Sequence, residues 1–105
     1  MPAQARRTIW GIALNDYEST FAVAAGDRKV RLYNYKNNNC QLIKTFEDFT
    51  GPVVKVAFIN QGEQLMCLQN DGILKLVNIL NQEVVFTLNF TEQVQQEQSD
   101  FWFKA

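Results

Sequence analysis

Residues 50–79 read TGPVVKVAFINQGEQLMCLQNDGILKLVNI and contain three apolar runs that are separated by polar turns. The runs cover residues 53–59, 65–68 and 73–79. Short apolar runs of this length, bounded by turn residues, predict the strands of an antiparallel meander. The turn before the third run contains Asp71-Gly72, a pair that suits the positive φ of a tight hairpin.

The same pattern occurs once before in the chain, at residues 7–35, which read RTIWGIALNDYESTFAVAAGDRKVRLYNY. Asp27 aligns with Asp71, 44 positions later. If two residues are omitted from the following turn, Thr45-Phe46 also aligns with Thr87-Leu88. Four short strands per unit, repeated roughly every 40–45 residues, are typical of propeller blades. We therefore predict an all-β fold of two antiparallel four-stranded blades, a partial β-propeller.

The repeat divides the chain into four segments. Residues 1–7 are a polar lead-in that we expect to be flexible. The two blades should occupy residues 8–49 and 50–90. Residues 91–105 form a Gln-rich tail, which we expect to be disordered or a short helix. Because Trp10 aligns with Val54, its indole should be buried against the adjacent blade.

Composition places the chain among ordinary intracellular domains. It has 105 residues, 47% of them apolar, and a net charge of −1 at a sequence pI near 5.3. This is enough apolar material for one core, and it does not indicate a strongly basic nucleic-acid-binding domain. No apolar run approaches the length of a membrane span, and the first residues lack the apolar centre of a signal peptide. We expect no membrane partner.

The residues needed for catalysis are scarce. The sequence contains no histidine, which excludes the commonest general base, the Ser/His/Asp arrangement and most zinc sites. It contains no glycine-rich phosphate loop. Its two cysteines, Cys40 and Cys67, lie 27 positions apart and are predicted to be reduced, buried thiols. We predict that the chain is not an enzyme and holds no cofactor or metal.

Two groups of residues are candidate sites. Asp27 and Asp71 occupy equivalent hairpin turns, where a carboxylate can accept backbone N–H groups, so we assign them a structural role. The cations and aromatic residues on the 28–35 hairpin could instead contact RNA or a protein partner, although a solvated outer face has the same pattern. This second group comprises Arg28, Lys29, Arg31, Tyr33 and Tyr35.

Over residues 7–90 the chain resembles the WD-repeat family. The resemblance lies in TFEDFTGPV at residues 45–53, KVAF at residues 55–58 and NDGILKL at residues 70–76. In that family a Gly-His pair precedes the first strand, an Asp fills the tight turn, and Trp-Asp ends the third strand. More narrowly, IWGIAL, LIKTFE, VVKVAFINQGEQLM and NDGILKLVNI look like the last blades of a transducin-β-like WD-repeat subunit of the small-subunit processome.

The chain departs from the family pattern at every position of the motif except the aspartate. Asp48-Phe49 stands where the Gly-His pair is expected, while Tyr33-Asn34 and Val77-Asn78 replace the two Trp-Asp pairs. Apolar side chains such as Val23 and Cys67 replace the Ser or Thr of the second strand. The hydrogen-bonded chain of His, Asp, Ser or Thr, and Trp that braces each blade in the family therefore cannot form in the usual way.

The resemblance implies a non-catalytic protein–protein scaffold in small-subunit ribosome biogenesis and pre-rRNA processing, located in the nucleus and nucleolus. Its partners would be other protein subunits, with any RNA contact indirect. One alternative is a general WD-repeat adaptor of the ubiquitin-ligase-receptor or trafficking type. Another is an RNA-contacting module that uses the 28–35 hairpin.

Two blades fall short of the four to eight that close a propeller. We therefore expect either self-association or completion by blades of a larger chain. The outer strand predicted at residues 84–88 carries no charge, whereas exposed strand edges are usually protected by charged residues or proline.

Overall fold

The computed structural model describes residues 8–91, which fold into eight strands in two antiparallel sheets. The first sheet contains β1 (Ile9–Asn15), β2 (Thr20–Ala25), β3 (Val30–Lys36) and β4 (Asn39–Phe46), in that order. The second contains β5 (Val53–Ile59), β6 (Gln64–Gln69), β7 (Ile73–Asn78) and β8 (Val84–Asn89), also in order. The expectations for residues 1–7 and for the tail beyond Thr91 lie outside the described residues.

This architecture confirms the predicted fold class of two four-stranded blades. No helix lies between residues 8 and 88. The first sheet spans residues 9–46 and the second residues 53–89, and residues 47–52 link them.

Irregularities in the two sheets repeat at the same spacing as the sequence. In each inner strand pair one extra residue forms a bulge, between Ile9 and Gly11 in one blade and between Val53 and Lys55 in the other. In each outer pair the register shifts after Leu32 or after its equivalent, Leu76. Such bulges bend a strand and increase its twist. The repeat is therefore a repeat of backbone geometry as well as of sequence.

The core lies between the two sheets, which pack face to face. Strand β5 of the second blade contacts β1 and β2 of the first. The buried apolar residues of both blades form one cluster, which consists of Ala22, Ala24, Val30, Leu32, Phe46, Phe49, Val53, Leu65, Cys67 and Val77. Neither sheet has a second covered face among the described residues, so burial of this shared face is the main stabilisation of the pair.

Strand β4 begins earlier than the sequence suggested. The three consecutive asparagines at positions 37–39 predict a loop over residues 36–41, but β3 continues to Lys36 and β4 starts at Asn39, leaving Asn37 and Asn38 as a two-residue turn. Their φ values are 53° and 63°. Positive φ at both central positions is the geometry of a type I′ hairpin, which asparagine tolerates better than most residues.

The expected burial of Trp10 is wrong. Trp10 is the extra residue of the β1 bulge and is 51% exposed, whereas its equivalent, Val54, is half-buried beside β1. The difference follows from position in the stack. The strand that carries Val54, β5, packs against the first blade. The strand that carries Trp10, β1, has no preceding blade beside it among the described residues.

Within residues 8–91, no helix is long and apolar enough to span a membrane.

Candidate interaction faces and the two aspartate turns

The outer face of the first blade, which we call the leading face, is largely apolar and open. Its side chains follow from the strand register, because directly paired residues lie on the same side of a sheet. Two cross-strand rows make up the face, Ile12–Val23–Arg31–Thr45 and Leu14–Phe21–Tyr33–Leu42. Ile12, Leu14 and Leu42 are each more than half exposed. The Phe21 and Tyr33 rings stack at 5.3 Å between centroids.

The outer face of the second blade, the trailing face, is also apolar. Its rows are Lys55–Leu68–Leu74–Leu88 and Ala57–Met66–Leu76–Phe86. Phe86 is exposed, its direct partner Leu76 is buried, and the other leucines and the methionine of the rows are half-buried. Large contiguous apolar faces are unusual on a solitary soluble domain and mark places where another surface packs.

Lys44 joins the two blades at the edge of the core, and Lys75 joins the second blade to the linker. Lys44 of the first blade donates through Nζ to the carbonyl oxygens of Ile79 and Leu80. Lys75 of the second blade donates to the carbonyl oxygen of Asp48, and its ammonium lies 5.8 Å from the centroid of the Phe49 ring. Each lysine therefore satisfies backbone acceptors of the opposite blade or of the linker while its stem lies along the apolar interface.

Asp27 and Asp71 have the same backbone role in their turns. The Asp27 carboxylate accepts the N–H of Lys29 at 3.2 Å, and Asp71 accepts the N–H of Ile73 at 3.2 Å. Both contacts span two residues, as in an Asx-turn. The structure thus places both carboxylates where the repeat alignment put them.

The rest of each aspartate's environment differs between the blades. Asp27 pairs with the Arg31 guanidinium, with 2.6 Å between Oδ2 and an Arg31 nitrogen. Asp71 instead accepts from the side-chain amide of Gln69 at 2.9 Å and from the hydroxyl of Thr50 at 3.2 Å. The Gln69 amide also donates to the Thr50 hydroxyl at 2.9 Å. A chain of Thr50, Gln69 and Asp71 therefore braces the second blade.

Gln69 is the residue of this brace that sequence reasoning missed. Gln69 is 1% exposed. Its side-chain amide makes hydrogen bonds to Thr50 and Asp71. The available signal was a lone polar residue between the run LMCL and the turn NDG. A glutamine at that position is equally typical of the polar end of a strand.

Electrostatics agree with this geometry. The hydrogen bond from Arg31 is the main reason that the pKa of Asp27 lies below its ordinary value. The hydrogen bond from Gln69 is the main reason that the pKa of Asp71 is lowered. Charge-assisted bonds to a carboxylate favour its ionised form. Both carboxylates are held in the form that accepts the turn's N–H groups.

The basic and aromatic residues of the 28–35 hairpin are largely engaged within the first blade. Lys29 pairs with Glu47 at 3.5 Å and Arg31 with Asp27. Phe21 contacts the Tyr33 ring and also the Tyr35 ring, at 5.9 Å. Arg28 occupies the left-handed region at φ 63°. Two of the three cations on this hairpin therefore already have an anionic partner.

The carboxylate and thiol side chains of residues 8–91 do not gather into a metal site. No group of three or more His, Cys, Asp or Glu side chains is close enough to hold a metal ion. Cys67 lies fully buried, and burial raises the pKa of its thiol to about 12. A thiol in that state is unreactive, because the thiolate is the nucleophile. Cys40 is exposed, contrary to the expectation that both thiols are buried.

Comparison with known proteins shows the fold of the chain. No protein-family model matches the chain, and no curated protein matches it. Among 436 matching chains of solved structures is the crystal structure of Saccharomyces cerevisiae Sqt1, a WD-repeat protein. The TM-score is 0.70 at 11% sequence identity, covering 82% of this chain but 24% of the Sqt1 chain. The two blades are thus WD-repeat-like in fold, a fold that hosts many functions, and the chain spans about a quarter of that neighbour.

Proposed function

We propose that the chain is a non-catalytic scaffold that binds other protein surfaces through its two open blade faces. The observation that carries this proposal is the pair of apolar faces on opposite sides of a shared core. The leading face exposes Ile12, Leu14 and Leu42, and the trailing face exposes Phe86. Burying apolar area of this kind is the main driving force for protein association.

The cellular setting that we propose is small-subunit ribosome assembly, with processome proteins as partners and the nucleolus as the location. The support is the resemblance of residues 9–14, 42–47, 53–66 and 70–79 to the last blades of a processome WD-repeat subunit. The WD-type geometry of both blades is consistent with this setting, although many unrelated assemblies use the same fold.

Gradient sedimentation of cell extract tests this setting directly. The tagged chain should co-sediment with pre-ribosomal particles, and its depletion should cause unprocessed pre-rRNA of the small-subunit branch to accumulate. Leu14→Glu places a charge on the leading face and should release the chain from the particles. Leu80→Glu is the matched control, because Leu80 is 90% exposed in the β7–β8 turn and belongs to neither face. If the chain stays at the top of the gradient and pre-rRNA is unchanged, the ribosomal setting is wrong.

A general adaptor remains the nearest alternative, and the same gradient separates the two proposals. An adaptor of another complex would sediment with that complex and would still depend on Leu14. The RNA-contacting alternative has less support, because Lys29 and Arg31 already pair with Glu47 and Asp27. Its test is the salt dependence of binding to single-stranded RNA, since phosphate contacts weaken steeply as salt rises. Affinity that does not change with salt would count against it.

A further inference from the structure

Each blade has two sheet faces, and the repeat alignment groups these four faces into two pairs of equivalent faces. The repeat alignment carries the inner face of the first blade, row by row, onto the trailing face. Gly11–Ala24–Val30–Phe46 becomes Lys55–Leu68–Leu74–Leu88, and Ala13–Ala22–Leu32–Lys44 becomes Ala57–Met66–Leu76–Phe86. The exposed trailing face is therefore equivalent to a face that is buried elsewhere in the same chain.

The leading face has the converse relation to the second blade. Its rows Ile12–Val23–Arg31–Thr45 and Leu14–Phe21–Tyr33–Leu42 are equivalent to Val56–Cys67–Lys75–Thr87 and Phe58–Leu65–Val77–Val84. These last two rows form the inner face of the second blade and contribute to the shared core. Residues 8–91 thus contain one packed pair of complementary faces and one further copy of each face that no other described residue covers.

We propose that two copies of this chain dock head to tail, with the trailing face of one on the leading face of the next. The contact between the blades of one chain is the template for this junction. The proposal rests on the scaffold function above and names a first partner for it, a second copy. The contact is heterologous, so it repeats from copy to copy until a ring closes. With two blades per copy and four to eight blades per closed propeller, two to four copies complete the ring.

The junction would differ from its template in side-chain volume. Met66 and Leu68 stand where the inner face of the first blade has Ala22 and Ala24. Phe21 and Tyr33 stand where the second blade has Leu65 and Val77. Larger side chains on both sides mean that blades of adjacent copies lie farther apart than the two blades of one chain.

One position gives the junction a specific chemical test. Lys44 donates to the carbonyl oxygens of Ile79 and Leu80, and Phe86 is its equivalent on the trailing face. The equivalents of those carbonyl oxygens belong to Tyr35 and Lys36 of the next copy. A lysine introduced at position 86 can donate to them as Lys44 does. A glutamate there would bring a carboxylate against carbonyl oxygens.

The experiment is light scattering during size-exclusion chromatography of the full chain at micromolar concentration. The expected mass is two to four times 12.1 kDa. Leu14→Glu and Phe86→Glu should each weaken association at least about tenfold. Phe86→Lys should retain it, and Leu80→Glu should have no effect. Circular dichroism confirms that each variant is folded. Ile12→Glu and Ala57→Glu, on the same two faces, replace either glutamate variant that unfolds.

Mixing the two glutamate variants tests the head-to-tail direction. The Leu14→Glu chain keeps its trailing face and the Phe86→Glu chain keeps its leading face, so the mixture should form one junction and stop at a dimer. A symmetric contact between two leading faces would instead be lost in Leu14→Glu and persist in Phe86→Glu, which would overturn the proposal. A monomeric parent chain would also overturn it and would assign both faces to blades of a different protein. The pre-rRNA experiment is unaffected by either result.

Discussion

At the scale of single residues, Gln69 shows how one buried amide replaces the usual brace of a blade. Its side chain joins Thr50 to Asp71 by hydrogen bonds of 2.9 Å. Gln69→Leu keeps similar volume but removes these bonds, one of which is to a charged carboxylate; Thr50 and Asp71 are exposed and can bind water in its place, so the loss is the net value of the bonds. We expect a loss of about 1–3 kcal/mol in the free energy of unfolding, measured by urea denaturation.

The control for that change is Gln41→Leu. Gln41 lies on an exposed part of β4, and its substitution should change stability by less than about 0.5 kcal/mol. Equal losses for the two variants would mean that replacing glutamine by leucine destabilises this fold wherever it is made, and that the hydrogen bonds of Gln69 contribute nothing.

The two aspartate turns should make the fold sensitive to acid. The pKa values of Asp27 and Asp71 both lie below the ordinary 3.8 in the folded chain. The unfolded chain therefore binds protons at a higher pH than the folded chain does. The stabilisation is fully present above pH 3.8 and is lost as the pH falls through the lowered values. Asp27→Asn and Asp71→Asn should each flatten the acid side of a plot of unfolding free energy against pH. A plot that keeps its shape in both variants would contradict this assignment.

The positions of the aspartates could be predicted from sequence, whereas their partners could not. Turn chemistry and the repeat place Asp27 and Asp71 without any tertiary information. The pairing of Asp27 with Arg31 depends on which face of β3 the guanidinium takes. The burial of Gln69 depends on how the linker at Thr50 closes over the β6–β7 turn. Local pattern cannot decide either point.

At the scale of elements, the equivalent hairpin turns of the two blades place different residues at one position with a positive φ. Gly72 has φ 85°, and its equivalent, Arg28, has φ 63°. A residue with a Cβ costs about 1–2 kcal/mol in this region. Gly72→Ala should therefore lower the melting temperature, the more so because its Cβ would overlap the Thr91 hydroxyl.

The reciprocal change gives the opposite expectation. Arg28→Gly relieves the strained position, but it also increases the freedom of the unfolded chain. The net gain should therefore stay below about 1 kcal/mol in a thermal melt. If Arg28→Gly lowers stability as much as Gly72→Ala does, the contacts of the arginine side chain matter more than backbone strain.

The strands themselves were the most predictable part of the fold. Alternating or continuous apolar runs between turn residues fixed all eight of them. The start of β4 was missed because three consecutive asparagines have low strand propensity. In the structure, Asn37 and Asn38 take the positive φ values of a two-residue turn, so Asn39 can already pair with Lys36. Cross-strand pairing overrode the local preference.

At the scale of the whole molecule, the repeat predicted two blades but not which of their faces would be covered. Trp10 illustrates this limit. The alignment with Val54 gives it a position in a blade, and burial there requires a preceding neighbour. Pairing of faces is a property of the stack of blades, so sequence patterns within one blade do not determine it.

The shared core makes a final prediction about cooperativity. Cys67 lies on the inner face of the second blade and is buried against the first, and burial raises the pKa of its thiol to about 12. If the blades separated before their sheets melted, Cys67 would become reactive while circular dichroism still reported native strands. Because Lys44 bonds the backbone of the second blade and the buried cluster draws on both sheets, we expect the blades to unfold together. In a Cys40→Ser background, thiol labelling should proceed at the rate of global unfolding and accelerate with urea in parallel with the loss of strand signal. Labelling that is faster than unfolding and insensitive to urea would show that each blade is stable without the other.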